Sequence, residues 1–444
     1  MDNMIMIDKR QILDDATVLR KQDRFEEAIV LFEPIWVEHR GSMTEWDCWS
    51  FALCLRKTGQ VQEALDLCSF VHETNPKIKI NNDEYARCIY ELEIKGLRPT
   101  EVTQQEGKFL SAVQKIVQLT KQDRYSPFER AVMACLRYLN SKQNIPYAQV
   151  IEWTDRLDPS QLQSVSLIYE GQDGKQYELP SYKENWYSYR TKALDKLKRY
   201  EECLALSQEA LETLSEFHYD NDAWFHWRIG KSMYSLGRIS EAIEILESDK
   251  KLQKEWYAQH LLSKAYFDIK NIEKSFQYAA EAALNHGERK NKYRLFLHMA
   301  ELYETRQDVE LAHRHIELAL VAHAEQPTDR LPGKLNQAMR KYDISEIPQS
   351  STRDLFNSLR PVWQAIKLAD LPSATGTIVK VLPHGKAGFI KAEDGASHYF
   401  STKSFQGKAK EIKQGLPVKF HIKPSYDPRK EQESTEAVHI ISLD

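Results

Sequence analysis

The sequence predicts a mainly α protein: a helical-repeat solenoid over roughly the first three quarters of the chain, then a small C-terminal all-β barrel. Small side chains return at Ala28, Ala64, Cys203, Ala242, Ser275 and Ala312, each at the same place in an apolar helix-turn-helix pattern. From Pro372 onward, short β-branched and aromatic runs replace that pattern, punctuated by Gly376, Gly385, Gly388, Gly395, Gly407 and Gly415, as strands joined by tight turns require. A hydrophobic content of 42% and a charged content of 28% over 444 residues describe an ordered chain with material for a sizeable core.

The clearest repeat runs from Trp49 to Ala64. Ala52 and Ala64 are its small packing residues, Leu55 fills a hydrophobic slot, Gly59 makes the turn and Pro76 closes the unit. Small residues are needed where two helices pack most closely, because a larger side chain would push the axes apart. The frame returns at Ala16, Leu19 and Ala28, at Leu194 and Cys203, at Gly230, Gly237 and Ala242, at Tyr266 and Ser275, and at Ala300, Tyr303 and Ala312. Between 83 and 160 it is looser, carried by Leu136, Leu139, Ala148 and Asp158-Pro159. This pattern resembles the tetratricopeptide repeat (TPR), a helix-turn-helix of about 34 residues. The resemblance implies a right-handed TPR-like α-solenoid of roughly six to eight repeats whose concave groove takes a protein or peptide segment. Spacings of 36, 39, 33 and 37 residues between small residues (28 to 64, 203 to 242, 242 to 275, 275 to 312) imply degenerate repeats with variable loops. Trp186, Tyr187, Trp224, Trp227 and Trp256 either anchor a groove ligand or pack helix against helix.

Two stretches interrupt the frame. Val165–Glu170 and Lys175–Leu179 alternate apolar and polar residues around Gly171-Gln172-Asp173-Gly174, which predicts a β-hairpin inserted at about 163–181. Arg330-Leu331-Pro332-Gly333 ends the repeats, and a helix from about Thr352 to Ala369 follows, with Leu355, Leu359, Trp363 and Ile366 on one face and a kink at Pro361. Its apolar stripe is expected to cap the last repeat. The expected domains are therefore the solenoid at 1–330, a linker and capping helix at 331–371, and the barrel at 372–444.

The barrel begins at Gly376-Thr377-Ile378-Val379-Lys380, passes through Lys386-Ala387-Gly388-Phe389-Ile390 and Asp394-Gly395, and reaches His398-Tyr399-Phe400. Pro417–Lys423 and Glu436–Ile441 supply two more strands, joined by a charged loop from Tyr426 to Glu433. The order resembles a cold-shock domain, and Gly415, Val418, Phe420, Ala437 and Ile440 match its closing strands. That resemblance implies a five-stranded OB barrel whose sheet binds single-stranded RNA or DNA. Alternation puts Ala387, Phe389 and Lys391 on one face of their strand, and His398, Phe400 and Thr402 on one face of the next. By alignment Phe389 and Phe400 take two of the family's ring positions, while Lys380, Ala387 and Thr402 stand where it has tryptophan, phenylalanine and histidine. The expected interface is Lys380, His384, Lys386, Phe389, Lys391, His398, Phe400 and Lys403. With lysines in place of rings, it would hold phosphates more than read bases.

Charge agrees in direction. Pro372–Asp444 carries 11 Lys and Arg against 8 Asp and Glu, leaving 50 against 57 for the remainder of a chain of net charge −4. Met1–Asp8 has no basic region followed by a long apolar core, arguing against a secretory signal. No apolar run reaches the ~18 residues of a membrane span. Cys48, Cys54, Cys68, Cys88, Cys135 and Cys203 form no CxxC pair or Cys/His cluster, so buried free thiols in a reducing cytoplasm are expected, with no metal or cofactor. No phosphate-binding glycine loop, HExxH or GxSxG occurs. Arg306 and His313 have the spacing of the Arg-His pair of HEPN-type ribonucleases, yet Arg306 falls in a repeat turn. The expectation is a non-catalytic adaptor, its solenoid holding a protein partner and its barrel holding single-stranded nucleic acid with low sequence specificity. A pure protein scaffold whose barrel docks protein, and a HEPN-like ribonuclease, are the alternatives.

Overall fold

The computed structural model describes residues 9–171, 173–328, 330–427 and 432–443. Met1–Asp8 and most of the charged loop after Tyr426 lie outside them. Among the described residues no helix is long and apolar enough to cross a membrane. The chain divides into two compact units, 1–245 and 246–444, and each is described on its own.

The first unit contains α1 (Lys9–Lys21), α2 (Phe25–His39), α3 (Glu45–Lys57), α4 (Val61–Thr74), α5 (Lys79–Glu93), α6 (Pro99–Gln104), α7 (Glu106–Leu119), α8 (Phe128–Ser141) and α9 (Tyr147–Thr154). A hairpin of β1 (Leu167–Glu170) and β2 (Gln176–Leu179) follows, paired from Leu167↔Leu179 to Glu170↔Gln176. Then come α10 (Tyr182–Lys196), α11 (Tyr200–Thr213), α12 (Asn221–Ser235) and the start of α13 (Ile239–Ser248). Buried carboxylates tie neighbouring helices together. The fully buried Glu84 on α5 binds Arg56 of α3 at 2.5 Å and Arg87 at 2.8 Å. Glu184 on α10 accepts hydrogen bonds from the His218 backbone N–H and the Asn221 side chain, each at 2.7 Å. Trp186 and Tyr187 are buried, the Trp186 indole N–H donating to the Thr154 carbonyl at 3.0 Å, so these two rings pack helices.

The second unit contains α14 (Trp256–Asp268), α15 (Ile272–Leu284), α16 (Tyr293–Thr305), α17 (Val309–Ala324), α18 (Gly333–Lys341) and α19 (Thr352–Leu368), then β3 (Ser373–Val381), β4 (Ala387–Ala392), β5 (Ser397–Ser401), β6 (Pro417–Asp427) and β7 (Gln432–Ser442). The helix α19 continues through Pro361 and lies on α15 and α17. Its Trp363, fully buried, stacks on Phe296 with centroids 6.0 Å apart and donates its indole N–H to His315 Nε2 at 2.9 Å.

The helix pairs are TPR-like and share one local geometry. Ala16/Ala28, Ala52/Ala64, Thr191/Cys203, Gly230/Ala242, Ser263/Ser275 and Ala300/Ala312 are each twelve residues apart and buried at the crossing of two helices. At Ser263/Ser275 the approach is close enough for each hydroxyl to donate to the other residue's carbonyl at 2.8 Å. Five residues before each second member, the chain turns through a left-handed residue: Asp23, Gly59, Lys198, Gly237, Lys270 and Gln307, with φ from +57° to +88°. The following N–H then reaches back to the first helix, as Gln60 does to the Leu55 carbonyl at 2.8 Å and Asp308 to that of Tyr303 at 3.1 Å, closing the helix end in the manner of a Schellman turn. Only two of the six turn residues are glycine, and the others hold a conformation costly for a residue with a Cβ.

The five strands close into a barrel in the order β3-β4-β5-β7-β6, with β6 pairing back onto β3. All pairs are antiparallel except β5 with β7. Ile378, Ile390, Phe400, Val418, Phe420, Ala437 and Ile440 fill the interior with no exposed surface. This five-stranded closed arrangement is OB-like.

Replacing a left-handed non-glycine turn residue should relieve strain. Lys198→Gly and Gln307→Gly are each expected to raise unfolding stability by about 0.5–1 kcal/mol in denaturant melts, and unchanged midpoints would refute the strain. His315 yields a pH prediction. Its Nδ1 is 2.7 Å from the Leu311 carbonyl while Nε2 accepts from Trp363, and burial holds its pKa down at about 4 against an ordinary 6.5. Between those values the unfolded chain binds a proton that the folded chain refuses. Stability from this group is therefore complete above pH 6.5 and falls as pH drops toward 4, by about 3 kcal/mol. Chemical denaturation at pH 7 and 4.5 should show that loss, and His315→Leu should reduce it.

Candidate nucleic-acid interface

The outer surface of the barrel sheet is fixed by register. On β4, Gly388, Ile390 and Ala392 are buried, while Phe389 is half-buried and Lys391 exposed. Phe389 pairs with Lys380 of β3 on one side and Tyr399 of β5 on the other. Tyr399 pairs in turn with Glu436 of β7. Across the sheet this sets a cation, two rings and a carboxylate in one row. Tyr399 is 41% exposed, and its ring meets that of Phe389 edge-on at 5.9 Å. Two residues along β4 from Phe389, Lys391 stands between Thr377 and Ser397, all three exposed.

Further polar and basic side chains gather at one end of the sheet. His384 and Lys386 are exposed in the turn between β3 and β4, where the Lys386 N–H donates to His384 Nδ1 at 3.1 Å. The Thr402 N–H donates to the Lys386 carbonyl at 3.0 Å, which brings the turn carrying the exposed Lys403 alongside. Lys380, Phe389 and Lys391 thus share the sheet surface, with His384, Lys386 and Lys403 at its edge.

Two expected interface residues do not belong there. Phe400 has no exposed surface and sits in the barrel core; His398 is 5% exposed, its Nδ1 2.7 Å from Thr435 Oγ1 and its ring against Phe420. The register gives the reason. Phe400 lies opposite Gly388, and a Cβ on Gly388 would run into the Phe400 ring and the Lys380 carbonyl. The glycine leaves the inward space that the ring fills, so β5 presents Tyr399 outward instead. Gly388 is the sequence signal for this assignment: a residue without a side chain on an inward position calls for a large neighbour across the strand. The second outward ring is therefore Tyr399, and Ala387, buried, supplies none.

Arg306 and His313 each have other partners. The Arg306 guanidinium binds both carboxylate oxygens of Glu273 at 2.8 Å and lies 3.9 Å over the Phe276 ring. His313 faces Glu317 and the Tyr342 ring instead. All six cysteines are free and buried.

No family model matches the chain, and no curated protein matches it. Among solved structures it is similar to residues 41 to the end of MamA from Desulfovibrio magneticus RS-1, at 16% identity over 50% of this chain and 98% of that one, with a TM-score of 0.29. It is also similar to the human IFIT1 dimer with m7Gppp-AAAA, at 13% identity over 79% of this chain and 78% of that one, TM-score 0.35. YrrB, a TPR protein with an unusual peptide-binding site, gives 13% identity over 56% of this chain and 90% of that one, TM-score 0.20.

Phe400→Ala should behave as a core truncation, lowering stability by about 3–5 kcal/mol in denaturant or thermal unfolding of the barrel. Near-native stability would return Phe400 to the surface.

Proposed function

We propose that the protein is a non-catalytic tether, in which the TPR-like helices hold a protein partner and the barrel holds single-stranded RNA or DNA with low sequence specificity. The observation that carries the nucleic-acid part is the register pair of half-buried Phe389 and exposed Tyr399 on the outer sheet surface, beside Lys380. Unpaired bases stack on outward rings at about 1–3 kcal/mol each, whatever their identity. Lys380, Lys386, Lys391 and Lys403, with His384, supply phosphate contacts that position a strand without reading it. Binding of this kind weakens steeply as salt rises. Joining the two activities in one chain raises the concentration of a bound partner near a bound strand. Six buried thiols favour a reducing compartment such as the cytoplasm.

Glu436, in the same row as Tyr399, favours a second reading. A carboxylate beside the rings repels phosphate, and a barrel face that mixes Lys380, two rings and Glu436 also suits docking of a protein.

Fluorescence anisotropy of the full chain with a labelled 12-nucleotide oligo-U or oligo-dT at low salt separates the two. The tether predicts binding that falls about 30-fold or more in the Phe389→Ala/Tyr399→Ala variant and weakens with added salt. No binding, or an affinity indifferent to both rings, would leave the protein-docking barrel.

A further inference from the structure

We infer that the outer edge of β1 is a self-association site, where the hairpins of two copies of this chain pair antiparallel into one four-stranded sheet. Ile168 lies on the two-fold axis of that pairing.

The turn of the hairpin decides which backbone groups are free. The Gly171 N–H donates to the Lys175 carbonyl at 2.8 Å and the Gly174 N–H to the Gly171 carbonyl at 3.0 Å, with Gly174 left-handed at φ +73°. A loop of this form makes Gly171 and Lys175 a hydrogen-bonded pair. Bonded and non-bonded pairs then alternate along the antiparallel ladder. Tyr169↔Tyr177 and Leu167↔Leu179 are the bonded pairs, and Ile168↔Glu178 and Glu170↔Gln176 the non-bonded ones. The Ile168 and Glu170 peptide groups therefore point away from β2, and among the described residues no backbone group of another element bonds them.

An edge of unpaired N–H and C=O groups is a template for a further strand. Two strands alone are marginal in water, and added strands support them. The devices that normally block such an edge are missing here. Val165, Ile168 and Tyr169 are 77%, 73% and 53% exposed, and Val165–Tyr169 contains no charge, proline or glycine.

Register selects a second copy as the occupant. In an isologous pairing with its axis at Ile168, Ile168 meets its own counterpart, Leu167 meets Tyr169, and Ser166 meets Glu170. Every outward peptide group then finds an outward group across the axis. Apolar side chains oppose apolar ones, and each Glu170 opposes a serine instead of another carboxylate. One group resists: Glu216 accepts from the Ser166 hydroxyl at 3.1 Å and repels the incoming Glu170. The edge of β2 is less suited, because Glu178, 3.7 Å from His218 Nε2, stands on it, and Pro180 just beyond it has no N–H to give.

Sedimentation velocity of the full chain, free of nucleic acid, tests this at about 0.3 M salt, where the Glu170–Glu216 repulsion is screened. Five paired residues a side, Ser166 to Glu170, fall short of the ~20–30 of a standard interface. A weak dimer is therefore expected, seen as a shift from monomer toward dimer between about 1 and 200 μM. Ile168→Lys sets two like charges opposite each other and should weaken that dimer about tenfold or more. Cross-linking under mild oxidation gives a second readout, since every native cysteine is buried. Ile168→Cys should form a disulfide-linked dimer faster than Glu178→Cys, whose position on β2 is also exposed. A monomer at every concentration, a dimer indifferent to Ile168→Lys, or equal cross-linking of the two cysteine variants would overturn the inference.

Discussion

The helical part of this protein depends on one repeated steric requirement: two helices must cross at near contact distance immediately after a left-handed turn. Each crossing places small side chains twelve residues apart, and at Ser263/Ser275 the two backbones come close enough for reciprocal hydroxyl-to-carbonyl bonds. A larger residue at either site would open the pair, and the apolar faces that neighbouring pairs share would no longer meet. The turn is equally constrained. Asp23, Lys198, Lys270 and Gln307 adopt positive φ without the freedom of glycine, so the surrounding packing must hold them there. Consequently the spacing within a pair is constant while the loops between pairs vary.

The barrel obeys a related rule in a different setting. Gly376 and Gly388 sit where β3 and β4 run against neighbouring atoms, and a Cβ on either would collide with backbone or with Phe400. Because Gly388 has no side chain, Phe400 turns inward. Because Phe400 turns inward, Tyr399 and its partner Phe389 turn outward. A single missing side chain thus selects which ring meets solvent. The surface that results is half aromatic and half cationic, with one carboxylate in the row, a composition suited to grip more than to recognition.

Much of the fold was legible because helix and strand periodicity are local. The small residues of the repeats, the glycine-marked turns at Gly59 and Gly237, the hairpin around Gly171–Gly174 and the closing strands through Val418, Phe420, Ala437 and Ile440 all announce themselves within short windows. The four left-handed turns without glycine were not legible, because nothing in Asp23, Lys198, Lys270 or Gln307 marks a positive φ. Nor was the orientation of β5. In Ser397-His398-Tyr399-Phe400-Ser401 either alternate set could face outward, and a shift of one residue exchanges every side chain between core and solvent.

By itself, then, the sequence determined the fold class and the order of its helical and β parts, since these follow from patterns that a chain carries along its own length. Only the tertiary structure decided which residues share a surface. Pairing across strands exchanged Phe400 for Tyr399. That outcome depends on contacts between residues distant in sequence, and no local pattern encodes it.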